Sequence, residues 1–279
     1  MMKTSLLFPD GKEKALTLSY DDGVDTDRQF IKLLEKYNVK STFNINAGSF
    51  SPEGSVRPEG QIHFRLPESE VKALYNHPLC EVATHSFTHP WLDKQPTAQC
   101  MIEIIKDRQA LEKLFGKIIR GHAYPYGTYN DDVVEILRKA GIVYARTVES
   151  HYSFKIPTDW LRMGTTCHHT ESCLLELADK FIDGEVGNND GWLFYLWGHT
   201  YEFRMDNNWE VIEKFFEKTA RNDNVWYATN IEVYDYVTAY RSLVYSADGD
   251  MVYNPTSTDV WVKIDGKKIS VPAGKTVNI

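Results

Sequence analysis

The chain has 279 residues, 42% of them hydrophobic and 25% charged, and 39 acidic against 31 basic side chains leave a formal net charge of −8. That balance predicts a globular protein with a full core and excludes a disordered chain. It also argues against a nucleic-acid surface, which needs a basic stripe, and no run of about 18 apolar residues is present to cross a membrane as a helix.

The segment Met1 to Phe8, followed by the turn Pro9-Asp10-Gly11, lacks the apolar stretch of about 7–15 residues of a secretory signal. Four cysteines (Cys80, Cys100, Cys167, Cys173) show no CxxC spacing and are read as free thiols, so a cytoplasmic, reducing location is expected. Ala15 to Tyr20 reads as a strand. A helix over 25–37 follows, with Asp25 or Thr26 as N-cap and an apolar face at Phe30, Leu33, Leu34 and Tyr37. Thr42 to Ile45 is a second strand, and the Gly-, Pro- and Ser-rich stretch 48–66 is a long loop of the kind that often carries function. Pro67 opens a helix to about Asn76, and Glu81 to Thr84 is a third strand. Further on, helices over 96–115, 130–140, 171–182, 208–220 and 231–243 alternate with strands over 118–123, 142–146, 192–197 and 225–228.

This βα alternation predicts an α/β fold whose parallel sheet closes as a barrel, with its chemistry at the C-terminal ends of the strands. The last residues differ. Val260 to Val271 alternates apolar and polar around Asp265-Gly266, a hairpin signal. The expected division is a barrel over 1–245 and a small β appendage over 246–279 packed on it.

Three strand ends carry unusual polar groups. Asp21-Asp22-Gly23 places adjacent carboxylates at a turn, where they need a cation or a proton. His85 and His89, at i and i+4, share a face if the segment makes a helical turn, and neutral imidazole is a common metal ligand. His199 ends the apolar strand Leu193 to Gly198. Each alone has a structural alternative, a capping Asp, surface histidines or a core histidine. Together, one carboxylate and two imidazoles supply three ligands with a fourth position left for water, while the other carboxylate and His199 form an acid/base pair. An iron oxygenase also uses two histidines and a carboxylate, but it would leave an Asp and His199 without a role.

In this order the motifs resemble those of the NodB-type polysaccharide deacetylases, carbohydrate esterase family 4. Ser19-Tyr20-Asp21-Asp22-Gly23 is similar to the first family motif, His85-Ser86-Phe87-Thr88-His89 to the second, Ala123-Tyr124-Pro125-Tyr126-Gly127 to the third and Leu196-Trp197-Gly198-His199 to the last. The resemblance spans about residues 14–235. It implies a distorted (β/α)7 barrel and a hydrolase that removes acetyl groups from N-acetylated or O-acetylated sugars. An amidase on a non-sugar C–N bond, or a non-catalytic carbohydrate-binding relative, are the alternatives. It further implies a divalent metal on Asp22, His85 and His89, zinc first, with cobalt or nickel as substitutes. Asp21 would be the general base, His199 the general acid, and the Tyr126 backbone N–H an oxyanion donor, with Pro125 and Trp197 in the substrate pocket. The partner expected is an acetylated carbohydrate, with no nucleic acid and no membrane. The arginine of the third family motif falls on Ala123; Arg146 and Arg162 are the candidates to replace it, with a surface role as the alternative for each. Cys167-His168-His169, outside the motif order, is read as structural, and His63, His77, His122 and His151 as surface or loop residues.

Overall fold

The computed structural model describes residues 3–187 and 189–279; Met1 and Met2, part of the N-terminal segment read above, lie outside them. In chain order the elements are β1 (Thr4–Leu7), β2 (Lys14–Asp21), α1 (Asp27–Tyr37), β3 (Ser41–Ile45), α2 (Glu68–Tyr75), β4 (Cys80–Thr84), α3 (Thr97–Phe115), β5 (Gly121–Ala123), α4 (Asp131–Lys139) and β6 (Tyr144–Ser150). Then come β7 (Met163–Thr165), β8 (Cys167–His168), α5 (Leu174–Asp183), β9 (Trp192–Gly198), α6 (Thr200–Met205), α7 (Glu210–Thr219), β10 (Val225–Tyr227) and α8 (Asn230–Arg241). The chain ends in β11 (Val244–Tyr245), β12 (Met251–Tyr253), β13 (Val260–Ile264), β14 (Lys267–Val271) and β15 (Thr276–Asn278).

Local chemistry sets the helix ends. Asn130 caps α4 by accepting from the Val133 N–H at 2.9 Å, and acidic and basic residues sit in its first and last turns, complementing the helix dipole. Around α1 the expected cap differs: Thr26 makes no capping bond, because its hydroxyl is bonded to Thr200 Oγ1 at 2.7 Å. The apolar face of α1, with Phe30, Leu33, Leu34 and Tyr37, is buried as its spacing predicts.

The central strands pair in parallel in the order β6-β5-β4-β3-β2-β9, and β10 adds to the N-terminal end of β2. The ring closes through a single extended segment, 163–168. Its first half, β7, pairs with β6, and its second half, β8, pairs with β9. Between them the Thr166 N–H donates to the Tyr195 carbonyl at 2.8 Å. Counting 163–168 as one strand, the barrel is β2, β3, β4, β5, β6, β7–β8 and β9, the distorted (β/α)7 architecture.

Two strands deviate from their expected spans. The β5 strand begins at Gly121, leaving Ile118 77% exposed, and β6 runs on to Ser150, past the expected end at Arg146. The C-terminal hairpin β13–β14 turns on Asp265 and Gly266, both with positive φ, the geometry two-residue hairpin turns require. Its outer partner is β1, paired antiparallel with β13, so the appendage draws on both ends of the chain. Val260, Val262 and Ile264 bury against Ala239 of α8 and Val252 of β12.

Candidate active site

All the strand-end motifs converge. Asp21, Asp22, His85, His89, Tyr126, Trp197 and His199 line one cavity of about 330 Å³, with Tyr124, Val148 and Tyr201 completing its walls. The backbone that presents them is strained: Asp22, Ser86, His89 and Tyr126 all adopt positive φ, at 84°, 63°, 60° and 57°. Such conformations cost about 1–3 kcal/mol each and cluster at functional sites. The His85–His89 pair is therefore brought together by two left-handed residues, not by the expected helical turn, and the two rings lie 4.7 Å apart between centroids.

Asp22, His85 and His89 form a group whose donor atoms lie within 4.8 Å of one another. His85 is buried and its Nδ1–H donates to the Ala123 carbonyl at 2.7 Å, which leaves Nε2 as a lone-pair donor. Burial pushes the His85 pKa down to about 4, and it lowers that of His89 as well, so both are neutral near pH 7. For Asp22, burial opposes ionisation, but His63 and Arg65 hold its carboxyl well below the usual range. The Arg65 guanidinium sits 2.8 Å from Asp22 Oδ1 and the His63 Nε2 lies 3.2 Å from Oδ2. Both come from the long loop 48–66. His63 was thus more than a loop residue, and Arg65 was missed; no sequence signal short of the loop's length pointed to either.

Asp21 lies beside this group, on a different set of partners. Its Oδ2 pairs with the guanidinium of Arg146, and its Oδ1 accepts from Asn44 Nδ2 at 2.7 Å. Burial pushes the Asp21 pKa up; Arg146, His85 and His199 overcome that and hold it below the ordinary value. Arg146 is fully buried and its guanidinium stacks on the Trp197 ring at 4.3 Å. It is also the direct β-partner of Ala123 across β5 and β6. The arginine absent from the third motif is replaced from the neighbouring strand. Arg162 is excluded from this role, since it pairs with Asp131 and Asp159 at the surface.

His199 Nε2 faces Asp21 Oδ2 at 3.8 Å and its Nδ1 lies 3.3 Å from Glu202 Oε2. Burial lowers the His199 pKa, but Glu202 and Asp21 raise it to a net position above the ordinary value. The same Glu202 oxygen accepts from the His199 backbone N–H at 2.9 Å, fixing the start of α6. Tyr126 is half exposed, with its ring stacked on Trp91 at 4.1 Å and edge-on to His89. Pro125 is buried at the base of this turn, and Trp197 lines the cavity with the Arg146 guanidinium over its ring. His122, expected at the surface, is fully buried beneath the site, bonded to Thr84 Oγ1 at 2.8 Å. Asp107 is a further missed residue. It accepts from the backbone N–H groups of Ala47 and His85, tying the histidine loop to α3.

A parallel barrel with a three-donor group and a carboxylate–imidazole pair at its strand ends places the molecule among the α/β barrels built to carry a site at that rim. Residues 9–145 match the polysaccharide deacetylase family model. It is 28% identical over 146 residues to a poly-beta-1,6-N-acetyl-D-glucosamine N-deacetylase of Staphylococcus aureus, covering 49% of each chain. It is likewise 28% identical over 129 residues to a bifunctional xylanase/deacetylase of Pseudobutyrivibrio xylanivorans, covering 44% of this chain and 18% of that protein. The chain spans about half the length of the first of these relatives. The Xyl-CE4 domain of a multidomain xylanase from the hindgut metagenome of Trinervitermes trinervoides shares the fold, with 17% identity, a TM-score of 0.53, and coverage of 81% of this chain and 92% of that one. No described helix is long and apolar enough to cross a membrane.

Proposed function

We propose that the protein is a metal-dependent hydrolase that removes acetyl groups from N-acetylated sugars, with oligomers of N-acetylglucosamine as the substrate class. The observation that carries this reading is the meeting of Asp21, Asp22, His85, His89 and His199, from three distant strand ends, in one cavity. The match of residues 9–145 to the polysaccharide deacetylase family model supports it.

Asp22, His85 and His89 would hold the ion. Two neutral imidazoles and a carboxylate suit Zn²⁺, and the bond from His85 Nδ1 to Ala123 leaves the correct ring nitrogen free. When bound, such an ion lowers the pKa of water and polarises a carbonyl. The remaining work falls to the protein. Asp21, kept ionised by Arg146, takes the proton of the attacking water. The Tyr126 backbone N–H stabilises the oxyanion that develops on the acetyl group. His199, aimed by Glu202, donates a proton to the leaving nitrogen, because an amine departs only when protonated. Pro125 sets the turn that presents Tyr126, and Trp197 backs the acyl group. The four cysteines are all free, which supports a reducing, cytoplasmic location.

Acetate release from N-acetylglucosamine oligomers, measured with added zinc, tests the reading. Release is expected from the wild type and is expected to vanish in Asp22→Asn. Failure to release acetate from any N-acetylated oligomer, or release unchanged by Asp22→Asn, rules it out.

A further inference from the structure

Behind His199 lies a second constellation, which shares Glu202 with the proposed reaction but whose two histidines that reaction does not use. His168 and His169 at the end of β8 and Glu202 in α6 bring their donor atoms within 4.8 Å of one another. We propose that His168, His169 and Glu202 form a second site for a divalent transition-metal ion, distinct from the Asp22–His85–His89 group.

His168 pairs with Glu202, whereas His169 stands beside the same carboxylate without a hydrogen bond. Glu202 Oε2 lies 3.2 Å from His168 Nε2 and 3.3 Å from His169 Nε2. Ligands about 2.0–2.1 Å from a tetrahedral ion stand about 3.3–3.4 Å apart along each edge. His169 is 2% exposed, and neither of its ring nitrogens has a hydrogen-bond partner, even with Glu202 so close. Buried polar atoms are nearly always paired, and an orphan calls for a water or an ion. The ring cannot turn to find another partner. It is sandwiched between Phe203 at 4.1 Å and Tyr20 at 5.6 Å. A Cβ built on Gly198 would also stand 2.1 Å from its Nδ1.

The second histidine is braced as a ligand. His168 Nδ1 accepts from the Thr170 backbone N–H at 3.2 Å and lies 2.7 Å from Thr170 Oγ1, so without an ion the ring proton is on Nε2 facing Glu202; an ion taking that place moves the proton to Nδ1, where the Thr170 hydroxyl accepts it. Two nitrogens and one carboxylate oxygen match the donor set of a first-row divalent ion, with zinc the natural probe. Because Glu202 also bonds the His199 backbone N–H, an ion here would rigidify the start of α6.

The test counts ions. Full-length protein is stripped with chelator, reloaded with zinc, desalted and measured by elemental analysis. Two zinc ions per chain are expected in the wild type, one in Glu202→Gln, one in His168→Gln, one in Asp22→Asn and none in Asp22→Asn/His168→Gln. His168 is partly exposed, so its variant separates loss of metal from loss of fold, which circular dichroism checks. A count unchanged by both His168→Gln and Glu202→Gln overturns the proposal. Zinc lost with His168→Gln but unaffected by Asp22→Asn supports this site and overturns the assignment of the first.

Discussion

Replacing Arg146 by Met gives the sharpest test of how the site is charged. The arginine is fully buried, pairs with Asp21 and stacks on Trp197. Removing one member of a buried ion pair costs about 3–5 kcal/mol, because the other charge is left without compensation. The variant should therefore be markedly less stable to urea yet still fold if the wild type has ordinary stability, about 5–15 kcal/mol. An opposite charge at contact lowers a carboxylate pKa by about 1–3 pH units. Without it, burial dominates at Asp21, and the acid limb of kcat/KM should move up by about 1–3 pH units. Arg146→Lys, which keeps the charge but not the planar stacking, should hold the limb near its wild-type position. Moving the charge back across the strand pair, in Ala123→Arg/Arg146→Ala, should restore part of it, since the two positions are register partners. An acid limb that stays in place in a folded Arg146→Met protein refutes the claim that this guanidinium keeps Asp21 ionised.

Three further outcomes follow from single features. His199→Gln keeps a hydrogen-bonding side chain but cannot deliver a proton, so kcat should fall by about 10²–10⁴ with zinc content unchanged; an undiminished kcat would remove His199 from the reaction. Asp27 is buried beside Tyr75, Thr200 and the Val24 N–H, and burial pushes its pKa up to about 7. The folded state then binds a proton that the unfolded chain releases near its ordinary value of about 4. That contribution is complete below about pH 4 and is lost as pH rises through 7. Relative to Asp27→Asn, wild-type stability should therefore decline by on the order of 4 kcal/mol across that window; parallel stability curves in urea titrations would contradict it. Gly198→Ala puts a methyl 2.1 Å from His169 Nδ1, and overpacking of this kind costs about 1–3 kcal/mol, visible as a lower denaturation midpoint; an unchanged midpoint would show that the His169 ring is free to move.

The carboxylate pair, the twin histidines and His199 were legible because each motif is local: a few neighbouring residues at the end of an apolar strand. Arg146 was legible only as an alternative, since what selects it over Arg162 is the pairing of β5 with β6, which no local pattern encodes. Arg65 and Asp107 were invisible for the same reason, since each reaches its partner across the fold; Glu202 was missed although it bonds His199 only three residues away, at the start of α6. The strand 163–168 reads Met-Gly-Thr-Thr-Cys-His, with no apolar alternation, because its two halves face different neighbours. The hairpin at 260–271 announced itself through Asp265-Gly266, but its partner β1 is some 250 residues away and too short to show a period.

That split strand gives the barrel a seam. Every other junction of the ring joins one strand to one neighbour, whereas here a few residues change allegiance midway, and the Thr166 and His169 amides are among the stitches that hold them to β9. A breath at this point would part Arg146 on one lip from Asp21 and His199 on the other, which stay together on the paired strands β2 and β9. Deuterium uptake at those two amides would then time the loosening of the guanidinium from the carboxylate it holds ionised.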